Sequence, residues 1–151
     1  MRQAADTADT VVVRPRKTMI VAWVCAVVVF ALFVVVAVVL RTADTGVFFR
    51  LADQIAMAAI GALIAGGVLL LARPRVRADA EGIEVRNIAS TRWLAWSDVE
   101  RVAFPDGASW ARLDLADDEY LHVMAVQAVD GERSVAVMRE LRALHAAARA
   151  R

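Results

Sequence analysis

Hydrophobic positions fall into three regimes along this chain. From Thr18 to Leu40 and from Gln54 to Ala72 they run almost without a break; from Arg75 to Val126 they alternate with polar residues; from Glu132 onward they recur every third or fourth position. Each period predicts a different element. As helices rising 1.5 Å per residue, the two continuous runs would reach roughly 35 Å and roughly 28 Å, which matches a bilayer hydrocarbon core about 30 Å thick. The organisation expected is a flexible N-terminal tail over 1–17, a two-helix transmembrane hairpin over 18–72 and one small domain over 73–151.

Within that domain, Val76, Ala78 and Ala80 alternate with Arg75, Arg77 and Asp79, and a turn at Glu81-Gly82 leads to Ile83 and Val85 on one face with Glu84 and Arg86 on the other. Leu94 and Trp96 continue the alternation after a polar break over 89–91. Val102 and Phe104, then Ala111, Leu113 and Leu115, then Leu121 and Val123 supply three further strands, separated by turns at Pro105-Asp106-Gly107 and at 116–119. The last segment places Val137, Met138, Leu141, Leu144 and Ala148 on one stripe, with Arg139, Arg142 and Arg149 on the other side of a single amphipathic helix. Six or seven antiparallel strands closed by one C-terminal helix predict a small β-barrel or bent sheet capped by that helix.

Charge fixes an orientation for the hairpin. Arg14, Arg16 and Lys17 precede the first run and Arg73, Arg75 and Arg77 follow the second, whereas the loop from Arg41 to Asp53 carries only Arg41 and Arg50. Positive charge is retained on the cytoplasmic side, so both termini are expected inside an integral, two-pass cell-membrane protein. The first run is too long for a secretory signal, whose apolar part spans about 7–15 residues. The only cysteine, Cys25, lies inside that run and leaves neither an intrachain disulfide nor a multi-cysteine metal site. In the second run Ala58, Ala62 and Gly66 recur at four-residue spacing, a candidate packing face for the hairpin itself or for a homodimer, and Gly61 and Ala65 lie on the adjacent line.

The segments Ala80-Glu81-Gly82-Ile83-Glu84-Val85-Arg86-Asn87, 94–102 (with Trp96 and Asp98) and Ser109-Trp110-Ala111-Arg112-Leu113 resemble the bacterial PH-like domains, closest to the actinobacterial low-molecular-weight protein antigen 6 PH-like family. The resemblance implies a bent seven-stranded antiparallel sheet capped by a C-terminal helix, and a non-enzymatic module. It carries no functional residue set. It implies a core role for Trp96 and a turn-capping role for Asp98. A seventh strand is expected from 125–129.

Chemistry is sparse. A phosphoinositide pocket would need basic residues in the first hairpin loop, which is Ala80-Glu81-Gly82 and acidic. From Ala78 to Arg151 there are nine Arg and no Lys against thirteen Asp plus Glu, a net of −4, which argues against nucleic acid as a partner. His122 and His145 lack metal-ligand spacing, and no nucleophile elbow or phosphate-binding glycine loop occurs. No cofactor, no metal and no catalytic residue is expected. The expected function is a protein-interaction or scaffolding module at the cytoplasmic membrane face. Trp93 and Trp110 are candidate contacts because both fall out of phase with the core-facing positions, and Arg73, Arg75 and Arg77 are candidate membrane-interface residues. Two alternatives are an accessory subunit docking through its helices and a lipid- or amphiphile-sensing module.

Overall fold

The computed structural model describes residues 10–42 and 50–151, so the first nine residues of the expected tail and most of the expected loop between the spans lie outside the described residues. The chain divides into two units, Thr18–Ala72, and a second made of the segment up to Lys17 together with Arg73–Arg151.

The first unit is a helical hairpin. Helix α1 (Arg16–Thr42) and helix α2 (Leu51–Leu69), which continues as a 3-10 turn over Leu70–Ala72, are each long and apolar enough to cross a membrane. Valine-rich stretches such as Val27 to Val29 would be weak helix formers in water, whereas in an apolar medium the helix satisfies every backbone group within one segment. The helices meet on alanine and glycine: Ala22, Ala26 and Ala37 of α1 and Gly61 and Ala65 of α2 are buried. A Cβ at Gly61 would stand 2.6 Å from the Cβ of Phe33, so this close approach requires glycine. Arg41 Nη1 donates to Gln54 Oε1 at 2.9 Å beside the loop. The line expected to pack is therefore displaced by one position. Ala58 is half-buried, Ala62 and Gly66 are exposed, and a Cβ at Gly66 would meet nothing within 4 Å. The bulk of Phe33 selects the Gly61–Ala65 line because only a residue without a side chain fits beneath the ring.

The second unit contains two antiparallel sheets and a helix. Strands β1 (Val11–Val13), β2 (Arg75–Ala78), β3 (Gly82–Arg86) and β4 (Thr91–Ala95) form the first sheet in the order β1-β2-β3-β4. Strands β5 (Val99–Ala103), β6 (Trp110–Leu115) and β7 (Tyr120–Gln127) form the second, and α3 (Glu132–Arg149) closes the chain. Alternation dictates the faces: Val76, Ile83, Val85, Leu94, Leu113 and Val123 point into one continuous core, which α3 completes with Val137, Met138 and Leu141.

Two expectations are corrected. The seventh strand is Val11–Val13, from the segment expected to be a flexible tail, and it pairs across the whole hairpin insertion with β2: Val11 opposite Ala78, Val12 opposite Arg77 and Val13 opposite Val76. Its three β-branched residues suit a pleated surface, and Val13 at 5% exposure belongs to the core. Residues 125–127, in turn, extend β7, and Ala128–Asp130 form a 3-10 turn. The register between β6 and β7 jumps where Trp110 pairs with Gln127 and Ala111 with Val123, which bends β7 and buries Ala125, Val126 and Gln127 together.

Trp96 sits at the junction of the layers, 2% exposed. Its Nε1 donates to the Asp79 carbonyl at 2.8 Å and its ring lies 5.6 Å from that of His145. The turn-capping carboxylate is Asp79, which accepts from the amides of Glu81 (2.9 Å) and Gly82 (3.0 Å), whereas Asp98 accepts from the Ser97 hydroxyl. The capping role that the resemblance implied for Asp98 is thus filled by Asp79, in the turn between β2 and β3, while Asp98 lies in the 3-10 turn Trp96–Asp98.

Candidate functional site

A sheet can recruit a partner at an uncovered edge or on an exposed face, and two of the four edges here are tied down by side chains. Along β5, three carbonyls meet side chains of α3: Arg142 Nε donates to Val102 O (3.1 Å), His145 Nε2 lies 2.7 Å from Val99 O, and Arg149 Nη1 donates to Glu100 O (3.4 Å). The side of β7 is tied to the first sheet by Asn87, whose Nδ2 donates to the His122 carbonyl at 2.8 Å while its Oδ1 accepts from the Met124 amide at 3.2 Å. Beside β1, a groove of about 770 Å³ is lined by Thr10–Val13 and by α3 residues including Arg133, Val137, Glu140 and Leu144. The other terminal strand of the first sheet is β4.

Trp93 stands on this edge. It is 58% exposed and points away from the core because its neighbour Leu94 is the core-facing residue of β4. Its ring lies over Gly82, where a Cβ would meet Cζ2 of Trp93 at 2.8 Å as well as the Leu94 carbonyl, so glycine is what allows the indole and the β4 backbone to close on β3. Trp110, 37% exposed, belongs to the other sheet. Its ring is 6.1 Å from His122, which is 5.1 Å from Tyr120, and the Arg112 guanidinium lies 5.5 Å from the Tyr120 centroid. Asp114 anchors that face between Arg101 (2.8 Å) and Arg112 (2.7 Å). The two tryptophans therefore do not form one patch.

The arginines after the hairpin have separate environments. Arg73 Nη1 donates to the Ile88 carbonyl at 3.2 Å and fastens the entry of β2 to the β3–β4 turn. Arg75 Nη2 is 3.6 Å from Glu84 Oε1, and Arg77 is exposed on the same outer face. Pairing adds a residue that the sequence reading missed: Arg86 stands directly opposite Arg75, and Thr91 directly opposite Arg86. The signal was available in the register. With the turn at Asp79–Gly82, counting outward along the two strands pairs 78 with 83 and 75 with 86, whereas a turn centred on Glu81-Gly82 pairs Arg86 with Arg77. Among the described residues no group of three or more His, Cys, Asp or Glu is placed to hold a metal ion.

Four strands packed on three, with a C-terminal helix closing the sandwich, define the PH-like class. The chain belongs to the Bacterial PH domain family, which matches residues 73–144, from the entry of β2 into α3. It is also similar along nearly its whole length to the uncharacterized proteins Rv1417 and MT1460 of Mycobacterium tuberculosis (strains ATCC 25618 / H37Rv and CDC 1551 / Oshkosh) and Mb1452 of Mycobacterium bovis (strain ATCC BAA-935 / AF2122/97). Each is 48% identical over 141 residues, covering 93% of this chain and 92% of the relative. No solved structure matches the chain.

Proposed function

We propose that this is a non-enzymatic, membrane-anchored Bacterial PH domain protein that acts as a protein-interaction module at the cytoplasmic face of the cell membrane, with both termini in the cytoplasm. The observation that carries the reading is the pairing of β1, which precedes the hairpin, with β2, which follows it. Strands of one sheet must lie on one side of a bilayer, so the two helices between them cross as a pair or not at all. Arg14, Arg16 and Lys17 at one foot and Arg73, Arg75 and Arg77 at the other favour the cytoplasm for that side. The same pairing of apolar N-terminal segments with one domain supports a place near the low-molecular-weight protein antigen 6 group.

The binding mode that fits is strand addition to β4, with Trp93 as the anchoring side chain. The absence of enzymatic chemistry is part of the proposal and is supported by the use of both histidines in packing, His145 against Trp96 and His122 between Trp110 and Tyr120. A docking role for α2 is the second reading, favoured by the exposure of Ala62 and Gly66; the groove beside β1 is where an amphiphile-sensing role would reside.

The test is a crosslinking pull-down of the full-length protein from native membranes, with Trp93→Ala, Trp110→Ala and Gly66→Leu in parallel. Loss of a partner in Trp93→Ala alone supports strand addition at β4. Loss only in Gly66→Leu transfers the function to the helices, and retention in all three refutes both surfaces. Side assignment is checked in a Cys25→Ser background by labelling single cysteines placed at Thr10 and Ala108. Labelling of the two from opposite sides of the membrane would sink the topology.

A further inference from the structure

The outer face of the first sheet carries a charge arrangement that folding alone does not account for. Arg75 and Arg86 are directly opposed across β2 and β3, which brings two like charges within cross-strand reach, an unfavourable pairing on its own. Both Nε groups are buried and have no hydrogen-bond partner among the described residues. Among the described residues the ion pair on this row is to Glu84, whose Oε1 is 3.6 Å from Arg75 Nη2 and which is the cross-strand partner of Arg77. Thr91 stands opposite Arg86 and extends the row with an exposed hydroxyl. Two half-buried arginines in one row beside a hydroxyl offer a tetrahedral oxyanion the planar, paired donors that match phosphate oxygens.

We propose that the row Arg75, Arg86 and Thr91 binds the phosphate of an anionic phospholipid headgroup. The inference rests on the membrane-anchored reading above. Retention of positive charge beside a membrane span explains Arg73, Arg75 and Arg77, but it does not explain Arg86, which is fourteen residues beyond the end of the apolar segment and reaches the row only through strand pairing. Arg75 follows Ala72 by three residues, at most about 11 Å of extended chain, and the headgroup layer is about 5–7 Å deep on each side of the hydrocarbon. The lipid source is thus within reach of the row by covalent connection, which free phosphate is not. Charge along the β2–β3 pair is graded in the same sense, with arginines at the end joined to the hairpin and Asp79 and Glu81 at the distal turn. This site is at the opposite end of the hairpin from the acidic first loop that argued against a phosphoinositide pocket.

The full-length protein in neutral maltoside micelles is titrated with dihexanoyl phosphatidylglycerol, dihexanoyl phosphatidylcholine and, separately, sodium phosphate, with retained ligand counted by native mass spectrometry. The expected result is retention of phosphatidylglycerol over phosphatidylcholine, lost by about tenfold or more in Arg75→Gln/Arg86→Gln, while Arg139→Gln on the exposed side of α3 behaves as wild type. Single Arg86→Lys is expected to recover only part of the binding, because ammonium cannot supply the paired donors. Equal retention by the wild type and the double variant overturns the site. Tighter binding of inorganic phosphate than of phosphatidylglycerol overturns the lipid as its ligand. Near-UV circular dichroism of each variant distinguishes lost binding from lost folding. Alkaline carbonate extraction of native membranes separates the two readings: release of the protein would refute the anchor, whereas retention together with unchanged lipid binding in the double variant would refute the headgroup site alone.

Discussion

The pairing of β1 with β2 makes a strong demand on three residues that lie before the first helix, and Val13 tests it. Val13 is 5% exposed, faces Val76 across the strands and sits in the continuous core. Val13→Ala removes two buried carbons, worth about 1.5 kcal/mol of transfer free energy at about 0.8 kcal/mol each, and the unfilled space raises the loss to about 2–3 kcal/mol. For a domain of this size that corresponds to a fall in Tm of roughly 8–24 °C. Val13→Asp is expected to cost more, because it buries a carboxylate without a partner. Val12, 53% exposed on the opposite face, is the control, and Val12→Ala is expected to stay within about 0.5 kcal/mol of wild type. The helical hairpin would dominate far-ultraviolet signals, so melting is followed by near-ultraviolet circular dichroism, which reports packing around the buried Trp96. Hydrogen exchange of the Val76–Ala78 amides is read in parallel and is expected to accelerate in both Val13 variants while the β6 amides change less. If Val13→Asp melts with the wild type and the β2 amides keep their protection, β1 is not part of the sheet and the topological argument built on it fails.

The side chain of Asn87 joins the two sheets by two hydrogen bonds, and Asn87→Ala is expected to cost about 1–3 kcal/mol and to loosen β7 amide exchange around Met124. Gly82→Ala would set a methyl against the Leu94 carbonyl and the Trp93 ring, so a drop in Tm is expected together with a changed Trp93 fluorescence environment; an unchanged melt would show that β4 can shift freely. In the hairpin, Gly61→Leu must displace Phe33 and is expected to expose the helices to protease in micelles, whereas Gly66→Leu, with open space at its Cβ, is expected to leave the isolated protein's protease pattern unchanged. Replacing Pro15–Pro74 by Asn-Gly should join Arg14 to Arg75 through a two-residue turn, because Val13 and Val76 are already directly opposed. The resulting chain is expected to be water-soluble with a cooperative melt, and a molten, dye-binding product would refute the independence of the sheet unit.

The parts of this fold written in local period were legible. Ile83 and Val85, Leu94, and Ala111, Leu113 and Leu115 each show the two-residue alternation of a half-buried strand, and all are buried in the core. The stripe Val137, Met138, Leu141 was readable on α3 for the same reason. What escaped was non-local. Three consecutive valines have no period, and nothing near Val11–Val13 shows that their partner begins 62 residues after Val13, beyond two apolar helices. The choice between the Gly61–Ala65 and Ala62–Gly66 lines rested on the position of one bulky residue in the other helix, Phe33. The candidate surface was legible only residue by residue. Trp93 and Trp110 could be singled out by phase, but their assignment to different sheets came from strand order, and Arg86 joined Arg75 only once the turn was placed at Asp79–Gly82.

The insertion point of the hairpin changes what the domain is. Val13 and Val76 form a direct cross-strand pair, each followed or preceded by an Arg-Pro-Arg segment, 14–16 and 73–75. In covalent terms β1 and β2 are a β-hairpin whose turn has been replaced by two helices long enough to cross a membrane. Proline suits both junctions: Pro15 directly precedes α1, where a missing amide costs nothing, and Pro74 precedes the first residue of β2. A fragment starting at Arg73 would lack β1, leave the β2 edge unpaired and open the core at Val76 and Ala78, which β1 lies against. Sheet completion and hairpin formation are thereby linked, because any arrangement that separates the two helix feet must also pull β1 from β2. A three-residue strand gives way more readily than an intact core, so this edge is where a change in the helices would first reach the sheet.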